Sequence, residues 1–357
     1  MRRSSTVILK NYIQKFLSFT VIEYKERVPV VNKMKRKVIG ISLGDPAGIG
    51  PEVLLKGLPY IKKIPDAIPL VIGDVPVIEK NFIYGKTQLN VVKTKDEIKT
   101  NCLNIYEAGI IKNKKFPTGK NSSLCGKASF LYVERAIQLW KECQIDGLLT
   151  LPISKKSWHL AGFRYTGHTE LLAQRLGCKK YAMVMIAGNI RALLVTTHIP
   201  LKDVSKNLSV PLLVEKVTTG CEFLIKLGIK RPVIAISALN PHSGEAGVFG
   251  REEKEIIIPA IRILQKRRID CEGPIPADAI FKKAVKGNID MVIVMYHDQA
   301  MIPLKTFFFE KLVNCTAGLK MVRTSPGHGT AFDIAYKGKA DPSSFVEAYK
   351  LAVRLTE

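Results

Sequence analysis

No apolar run in this 357-residue chain approaches the roughly 18 residues that a membrane-spanning helix requires. Its seven cysteines (Cys102, Cys125, Cys143, Cys178, Cys221, Cys271 and Cys315) include no C-x-x-C pair, their number is odd, and none has the sequence context of a nucleophile. A disulfide framework is thereby excluded, and the pattern fits the reduced, partly buried thiols of a cytoplasmic protein. Internal repeats and low-complexity linkers are missing too. Nothing matches a zinc finger or a helix-turn-helix.

Acidic residues are scarce: 31, against 55 lysines and arginines, for a formal charge of +24. That balance invites a nucleic-acid partner, but its distribution argues against one. Residues 1–37 hold ten Lys/Arg and two Glu, so +8 sits in about a tenth of the chain. The rest is spread thinly as isolated lysines, without the arginine–aromatic interleaving of single-strand binders. A lysine-rich surface around a site for an anionic substrate is the simpler account. With 46% hydrophobic and 24% charged residues, the chain has the composition of a globular protein with a sizeable core.

The basic extension over residues 1–36 contains Ser4 and Ser5 and places Leu9, Tyr12, Ile13, Phe16 and Leu17 at helical spacing. Such a segment resembles an organelle transit peptide. An alternative is that the protein starts at Met34, which immediately precedes Lys35-Arg-Lys-Val-Ile-Gly-Ile-Ser-Leu43. The second reading is the more economical, because the chain then begins just before its first strand. Neither gives the extension a role in chemistry.

From Lys37 onward short apolar runs alternate with helical patterns, the signature of an α/β domain over residues 37–357. Strands are expected at Val38–Leu43, Leu70–Gly73, Gly147–Thr150, Ala182–Ala187, Ile190–Thr197, Val233–Leu239 and Met291–Tyr296. Helices are expected at Pro51–Gly57, Lys127–Cys143, Thr169–Leu176, Leu212–Leu227 and Arg251–Lys266. The segments rich in functional residue types are scattered from residue 44 to residue 333. One cleft must therefore be assembled from both halves of the chain, most naturally between two lobes.

Three of the six histidines follow apolar strands: His198, His242 and His297. The carboxyl ends of parallel strands are where α/β proteins bind ligands, and three neutral imidazoles gathered there suit a catalytic divalent metal. Gly44-Asp-Pro-Ala-Gly-Ile-Gly-Pro-Glu52 leads from strand to helix, but its spacing is not the G-x-G-x-x-G of a Rossmann site. Gly167-His-Thr-Glu-Leu-Leu172 puts His168 and Thr169 at a helix start, where free amides suit a carboxylate or phosphate unless Thr169 merely caps the helix. The polar loop Asn240–Glu253 is too long for an ordinary connector, and Asp278 adds a carboxylate able to orient a metal ligand. Lys305, Asn314 and Arg323 offer a point charge, an amide and a bidentate fork, the groups a phosphorylated substrate needs. Near the C-terminus, Ser325–Pro342 is a Gly/His/Asp-rich loop suited to close approach of a ligand.

Taken in order, GDPAGIGPE, GHTE, LNPHSGEAG-FGREE, GP-PAD--F, YHDQ--IPLK and RTSPGHGTAFDIA-KG-AD resemble the motifs of the 4-hydroxythreonine-4-phosphate dehydrogenase family. The resemblance runs from about Lys37 to the end. Two of these segments also resemble isopropylmalate and isocitrate dehydrogenases, which implies their two-lobed α/β fold, with the active site in the cleft between lobes and a non-Rossmann nicotinamide site. By the same resemblance the metal ligands are His198, His242 and His297, and the substrate contacts are His168, Thr169, Lys305, Asn314 and Arg323. NAD or NADP is placed at Gly327, His328, Gly329 and Asp333, and catalysis is assigned to Lys305 and Asp278. The relatives hold their metal with carboxylates; imidazoles here favour Zn²⁺ or Co²⁺ over Mg²⁺.

The activity implied is NAD(P)-dependent oxidation of 4-(phosphooxy)-L-threonine by a homodimer with a shared active site, followed by loss of CO₂. Rival readings are a dehydrogenase of threonate or erythronate 4-phosphate, a phosphate acyltransferase on a related fold, and a basic binding protein. A chain starting at Met34 is expected to keep its melting temperature and activity. A large loss of stability on truncation contradicts this, and import of a reporter fused to residues 1–36 into an organelle favours the transit reading.

Overall fold

In the computed structural model, residues 36–357 are described; the transit-like and displaced-start readings of the extension lie outside them. The expected strands form, none differing in length from its apolar run by more than three residues. The strands are β1 (Lys37–Ser42), β2 (Ala67–Gly73), β3 (Leu89–Val91), β4 (Leu103–Glu107), β5 (Gly147–Thr150), β6 (Ala182–Ala187), β7 (Ile190–Leu194), β8 (Ile234–Ser237), β9 (Cys271–Ile275), β10 (Met291–Val294), β11 (Val313–Ala317) and β12 (Val322–Pro326). The helices that bear on the site are α1 (Gly50–Ile61), α2 (Ser123–Lys141), α3 (Lys155–Leu160), α4 (His168–Leu176), α5 (Val210–Lys226), α6 (Ile258–Lys266), α7 (Ala277–Val285), α8 (His297–Phe308) and α9 (Ser343–Thr356).

These strands join one sheet in the order β3-β4-β2-β1-β5-β12-β11-β6-β7-β10-β8-β9. Strands β3, β4, β2, β1, β5 and β12 run parallel to one another, and so do β7, β10, β8 and β9. Between them, β11 is antiparallel to both β12 and β6, and β6 is antiparallel to β7. The two parallel halves therefore point in opposite directions, and the central strands form the seam. Each half shows the nearly continuous burial expected of strands covered on both faces.

Register decides which residues share a face. Asn314 pairs with both Met185 and Ser325, and Arg323 pairs with Leu148. Because side chains alternate, Thr150, Arg323, Ser325, Asn314, Met185 and Met183 all project from one side of the seam. The reverse side of β12 is covered by α9, whose Ala348 carbonyl accepts a hydrogen bond from Thr324 Oγ1 at 2.9 Å. In the second half, α5 packs where Gly220 meets Leu193 and Met291. On the opposite face Ala192, Leu194, Val292 and Val294 form a separate apolar cluster with Ile280, Ala300 and Leu304 of α7 and α8.

The expected helices are present, with one irregularity: the run ahead of α6 opens as a π-turn over Glu253–Ile257. Helices α2 and α3 touch backbone to backbone. A Cβ on Gly126 would lie 1.9 Å from the Ser157 carbonyl oxygen. Around that contact Trp158 Nε1 donates to Ser129 Oγ at 2.9 Å, and Phe130 stacks on Phe163 with ring centroids 3.7 Å apart. The contact sets the position of α3, whose first turn reaches a cleft over the seam. Gly126→Ala must push α3 away. It is expected to destabilise the fold by about 3 kcal/mol or more, read as a lower urea midpoint with an unchanged slope.

Candidate active site

The cleft, of about 220 Å³, is lined from the first half by Thr150, Pro152, Ile153 and Lys155 and from the second by Met183, Met185, His198 and Asn314. Arg323 forms part of its floor, and it is 3% exposed. Its guanidinium meets only neutral oxygens. Nε and Nη2 donate to Thr150 Oγ1 at 3.1 and 2.8 Å, and Nη1 donates to Thr316 Oγ1 at 3.3 Å. Burial pulls the pKa of this side chain down to about 10, an unusual value for arginine. A buried cation without an anion is costly, by several kcal/mol in real proteins, unless a ligand supplies the countercharge.

Unpartnered acceptors and donors surround it. His168 Nε2, Asn314 Oδ1 and His328 Nε2 are all buried without a hydrogen-bond partner. His168 is held well below the usual histidine range, first by burial and then by Arg323, and His328 is lowered by burial. Both rings are therefore neutral at pH 7. Helix α4 opens beside them. Its N-cap is Gly167, and no side chain caps it, so Thr169 is not the cap and the first amides face the cleft uncapped. His168, Thr169, Asn314 and Arg323, four of the five expected substrate contacts, are thus brought together. Gly327, His328 and Gly329 line the same cleft. His328 Nδ1 lies 3.2 Å from the Gly329 carbonyl, while a Cβ on Gly329 would meet nothing. Asp333 is exposed and lies away from this lining.

The three histidines behind the strands occupy neighbouring positions, because β7, β10 and β8 are consecutive in the sheet. Beyond their assigned ends β7 and β10 stay paired: Thr196 N and Thr196 Oγ1 both donate to the Met295 carbonyl, at 3.2 and 2.7 Å. His198 and His297 each lie two residues further on, and their rings stand 5.8 Å apart. His198 is lowered by burial and next by the charge of Lys155. His297 Nδ1 lies 2.7 Å from Asp298 Oδ1, which leaves Nε2 as the free ring nitrogen. A carboxylate behind one nitrogen and an open second nitrogen is the arrangement of a metal-binding imidazole.

His242 does not join this pair. It is exposed on a left-handed turn in which His242, Ser243, Glu245 and Ala246 have φ between 43° and 57°. Glu253 pins the turn, accepting from Leu239 N, Asn240 N and Asn240 Nδ2 at 2.8–2.9 Å. Among the described residues, no group of three His, Cys, Asp or Glu is placed to hold a metal ion. Two imidazoles on adjacent strands, with ring centroids 5.8 Å apart, therefore fit half of a divalent site. Lys305 on α8 and Asp278 on α7 are exposed and stand outside the cleft.

Several structural roles were invisible as motifs. Gln299 ties the strand ends together: its Oε1 accepts from Met295 N at 2.7 Å and its Nε2 donates to the Ala238 carbonyl at 2.8 Å. The glycine-rich segment 44–50 is wholly buried and serves as scaffold. Gly44, at φ +74°, packs against the Pro152 carbonyl. Glu52 accepts from Ala340 N at 2.9 Å, Lys56 donates to the Gly338 and Ala340 carbonyls, and Tyr336 Oη donates to the Pro46 carbonyl at 2.6 Å. The first motif thus holds the last one in place.

The family model described as pyridoxal phosphate biosynthetic protein PdxA matches residues 66–352. A D-threonate 4-phosphate dehydrogenase of Cupriavidus necator is 40% identical over 323 residues, which cover 89% of this chain and 97% of that one. A 4-hydroxythreonine-4-phosphate dehydrogenase of a Sulfurihydrogenibium species is 41% identical over 323 residues, covering 89% and 98%. The crystal structure of 4-hydroxythreonine-4-phosphate dehydrogenase from Klebsiella pneumoniae superposes with a TM-score of 0.81 at 34% identity, covering 91% of this chain and 99% of that one. With most of its length matched both by the family model and by relatives of this identity, the chain belongs to the PdxA family of pyridoxal phosphate biosynthetic proteins.

Proposed function

We propose that the chain is a nicotinamide-dependent dehydrogenase of 4-(phosphooxy)-L-threonine, acting as a homodimer in pyridoxal phosphate biosynthesis. The observation that carries this reading is the buried Arg323, held only by threonine hydroxyls in a cleft with unpartnered His168 and Asn314 atoms. That floor suits a phosphate: the guanidinium supplies a bidentate fork, and the uncapped start of α4 supplies amides. A second reading, D-threonate 4-phosphate as substrate, is supported by the name of the Cupriavidus relative.

In the proposed reaction the C3 hydroxyl loses its proton and C3 loses hydride, giving a β-keto acid. The C1–C2 bond then breaks, CO₂ leaves, and C2 takes up a proton to give 3-amino-2-oxopropyl phosphate. NAD⁺ or NADP⁺ supplies the hydride acceptor, and Gly327, His328 and Gly329 are the residues to hold it, through the free His328 Nε2 and the open space at Gly329. A divalent metal, Zn²⁺ or Co²⁺ before Mg²⁺, supplies a Lewis acid that lowers the pKa of an alcohol bound to it. His198 and His297 of one subunit and His242 of the partner subunit are the residues to hold it.

The dimer reading rests on surface chemistry. Around the residues left outside the cleft, Ile302 is 67% exposed, Phe307 71% and Val248 74%. Exposed apolar side chains of that kind, close in sequence to His242 and to Lys305, suit burial against a second copy. In that arrangement Lys305 and Asp278 serve the partner's cleft, Lys305 as the group that moves a proton. No helix among the described residues is long and apolar enough to cross a membrane, and we place the enzyme in the cytoplasm.

The direct test is a steady-state assay with 4-(phosphooxy)-L-threonine and with D-threonate 4-phosphate, using each nicotinamide cofactor. Turnover of the first substrate is expected to be the faster, to vanish on chelation and to return with Zn²⁺ or Co²⁺. Preference for D-threonate 4-phosphate selects the second reading, and activity untouched by chelation removes the metal. Arg323→Met is expected to lower kcat/KM by roughly 10- to 100-fold. It should at the same time raise the melting temperature, because the variant buries no unpaired charge. A destabilised variant with intact activity contradicts the assignment.

The shared metal site has its own test. Neither His242→Ala nor His198→Ala should turn over alone. Mixing them after subunit exchange should restore roughly a quarter of wild-type activity, since about half of the dimers then carry one intact composite site. No recovery, with exchange verified by mass spectrometry, places all three histidines in one chain.

A further inference from the structure

The cleft holds a second cation that none of the expected substrate contacts uses. Lys155 is the first residue of α3 and lines the cleft together with His168, Thr169 and His198. Its backbone is fixed. Ser154 caps α3, its Oγ accepting from Ser157 N at 3.1 Å and hydrogen-bonding Asn121 Oδ1. Behind the helix stands the Gly126 contact with α2. Among the described residues the Lys155 ammonium has no ion-pair partner, although Glu170 also lines the cleft.

Thr150 and Lys155 belong to one segment. Thr150 ends β5 and anchors Arg323 on the floor; five residues later the chain brings Lys155 to the rim. There its charge falls on His198, ahead of that of His297. The cleft therefore presents a buried fork at its floor and the point charge of an exposed lysine at its mouth, with His198 on the lining beside the second. A phosphorylated four-carbon acid has matching ends: a C4 phosphate and a C1 carboxylate, with the reacting C3 between them.

We infer that Lys155 binds the C1 carboxylate while Arg323 binds the C4 phosphate, so that the site selects its substrates by holding both ends. This rests on the proposed substrate reading. The opposite orientation is disfavoured by the chemistry. The carboxylate leaves as CO₂, and a buried guanidinium would stabilise it in the ground state and oppose C1–C2 cleavage. An exposed lysine at the rim aligns the carboxylate at a smaller ground-state cost, because water screens the pair. The phosphate is retained in the product and tolerates a tight, buried site.

The test compares two ligands by calorimetry on the full-length enzyme with Zn²⁺ and no nicotinamide. One is 4-(phosphooxy)-L-threonine. The other is dihydroxyacetone phosphate, which has the phosphate and a ketone but no carboxylate. Lys155→Met is expected to weaken the first by about 10-fold or more and leave the second unchanged, with Lys155→Arg restoring most of the loss. Lys156→Met, next door on the same helix turn, controls for general surface charge and should change neither. Equal weakening of both ligands by Lys155→Met places this lysine on the phosphate and overturns the inference, as does no weakening of either. A wild-type enzyme that binds neither ligand fails the substrate reading itself, and this assignment falls with it.

Discussion

A full positive charge set in the middle of a β-sheet, with threonine hydroxyls as its only partners, is the constraint around which the cleft is arranged. Arg323 holds its place because β12 is covered behind by α9 and bounded on either side by β5 and β11, which supply Thr150 and Thr316. Neutral oxygens orient the fork without neutralising it. The electrostatic demand is passed on to whatever enters the cleft. Beside it His168 and His328 are held below the usual histidine range by burial, Asn314 offers an amide, and Glu170, the carboxylate on the same cleft lining, makes no hydrogen bond to the guanidinium.

The antiparallel seam makes the arrangement possible. In an all-parallel sheet, ligands gather at the strand ends. Here the reversal of β11 and of the whole second half brings strand faces, strand ends and a helix start to one cleft. Thr150 comes from a strand end of the first half, Asn314 and Arg323 from strand faces at the seam, and His198 from a strand end of the second half. Segments distant in sequence must then be held in register. The buried Gly44–Gly50 loop, Glu52 and Lys56 do this for the loop at 327–340, and Gln299 and Glu253 do it for the ends of β8 and β10.

Much of this was legible in the sequence, and the rest had physical reasons to be hidden. Strand-end histidines could be read because apolar runs of six to eight residues mark buried strands, and a residue within three positions of such a run must lie near an end. That His198 and His297 are neighbours while His242 stands apart depends on strand order and on five residues of left-handed backbone, and neither has a sequence period. The two lysines are the clearest case. Lys305 sits in a polar motif behind a strand, whereas Lys155-Lys156 has the composition of ordinary helix surface. That Lys155 faces the cleft depends on the close contact of Gly126 with Ser157, between helices that no local pattern connects. The glycine-rich loop after β1 lacks the spacing of a Rossmann site, and its complete burial shows that it serves packing.

The turn carrying His242 bears on the proposed assembly. Left-handed backbone costs roughly 1–2 kcal/mol for each residue with a Cβ, and four such residues stand in succession here with only Gly244 between them. Such strain persists when surrounding structure over-determines it, and Glu253 supplies three hydrogen bonds for that purpose. The result is a histidine held in a defined place but facing solvent, away from the two imidazoles it resembles. A ligand meant for its own chain's cleft would need that turn to move against its clamps. A ligand meant for a second copy needs only to be presented, and the exposed Val248 and Phe249 beside it supply apolar surface for such a contact. Strain, clamp and exposure are thus all accounted for by the proposed dimer, in which the fold of each subunit would prepare part of the other's site.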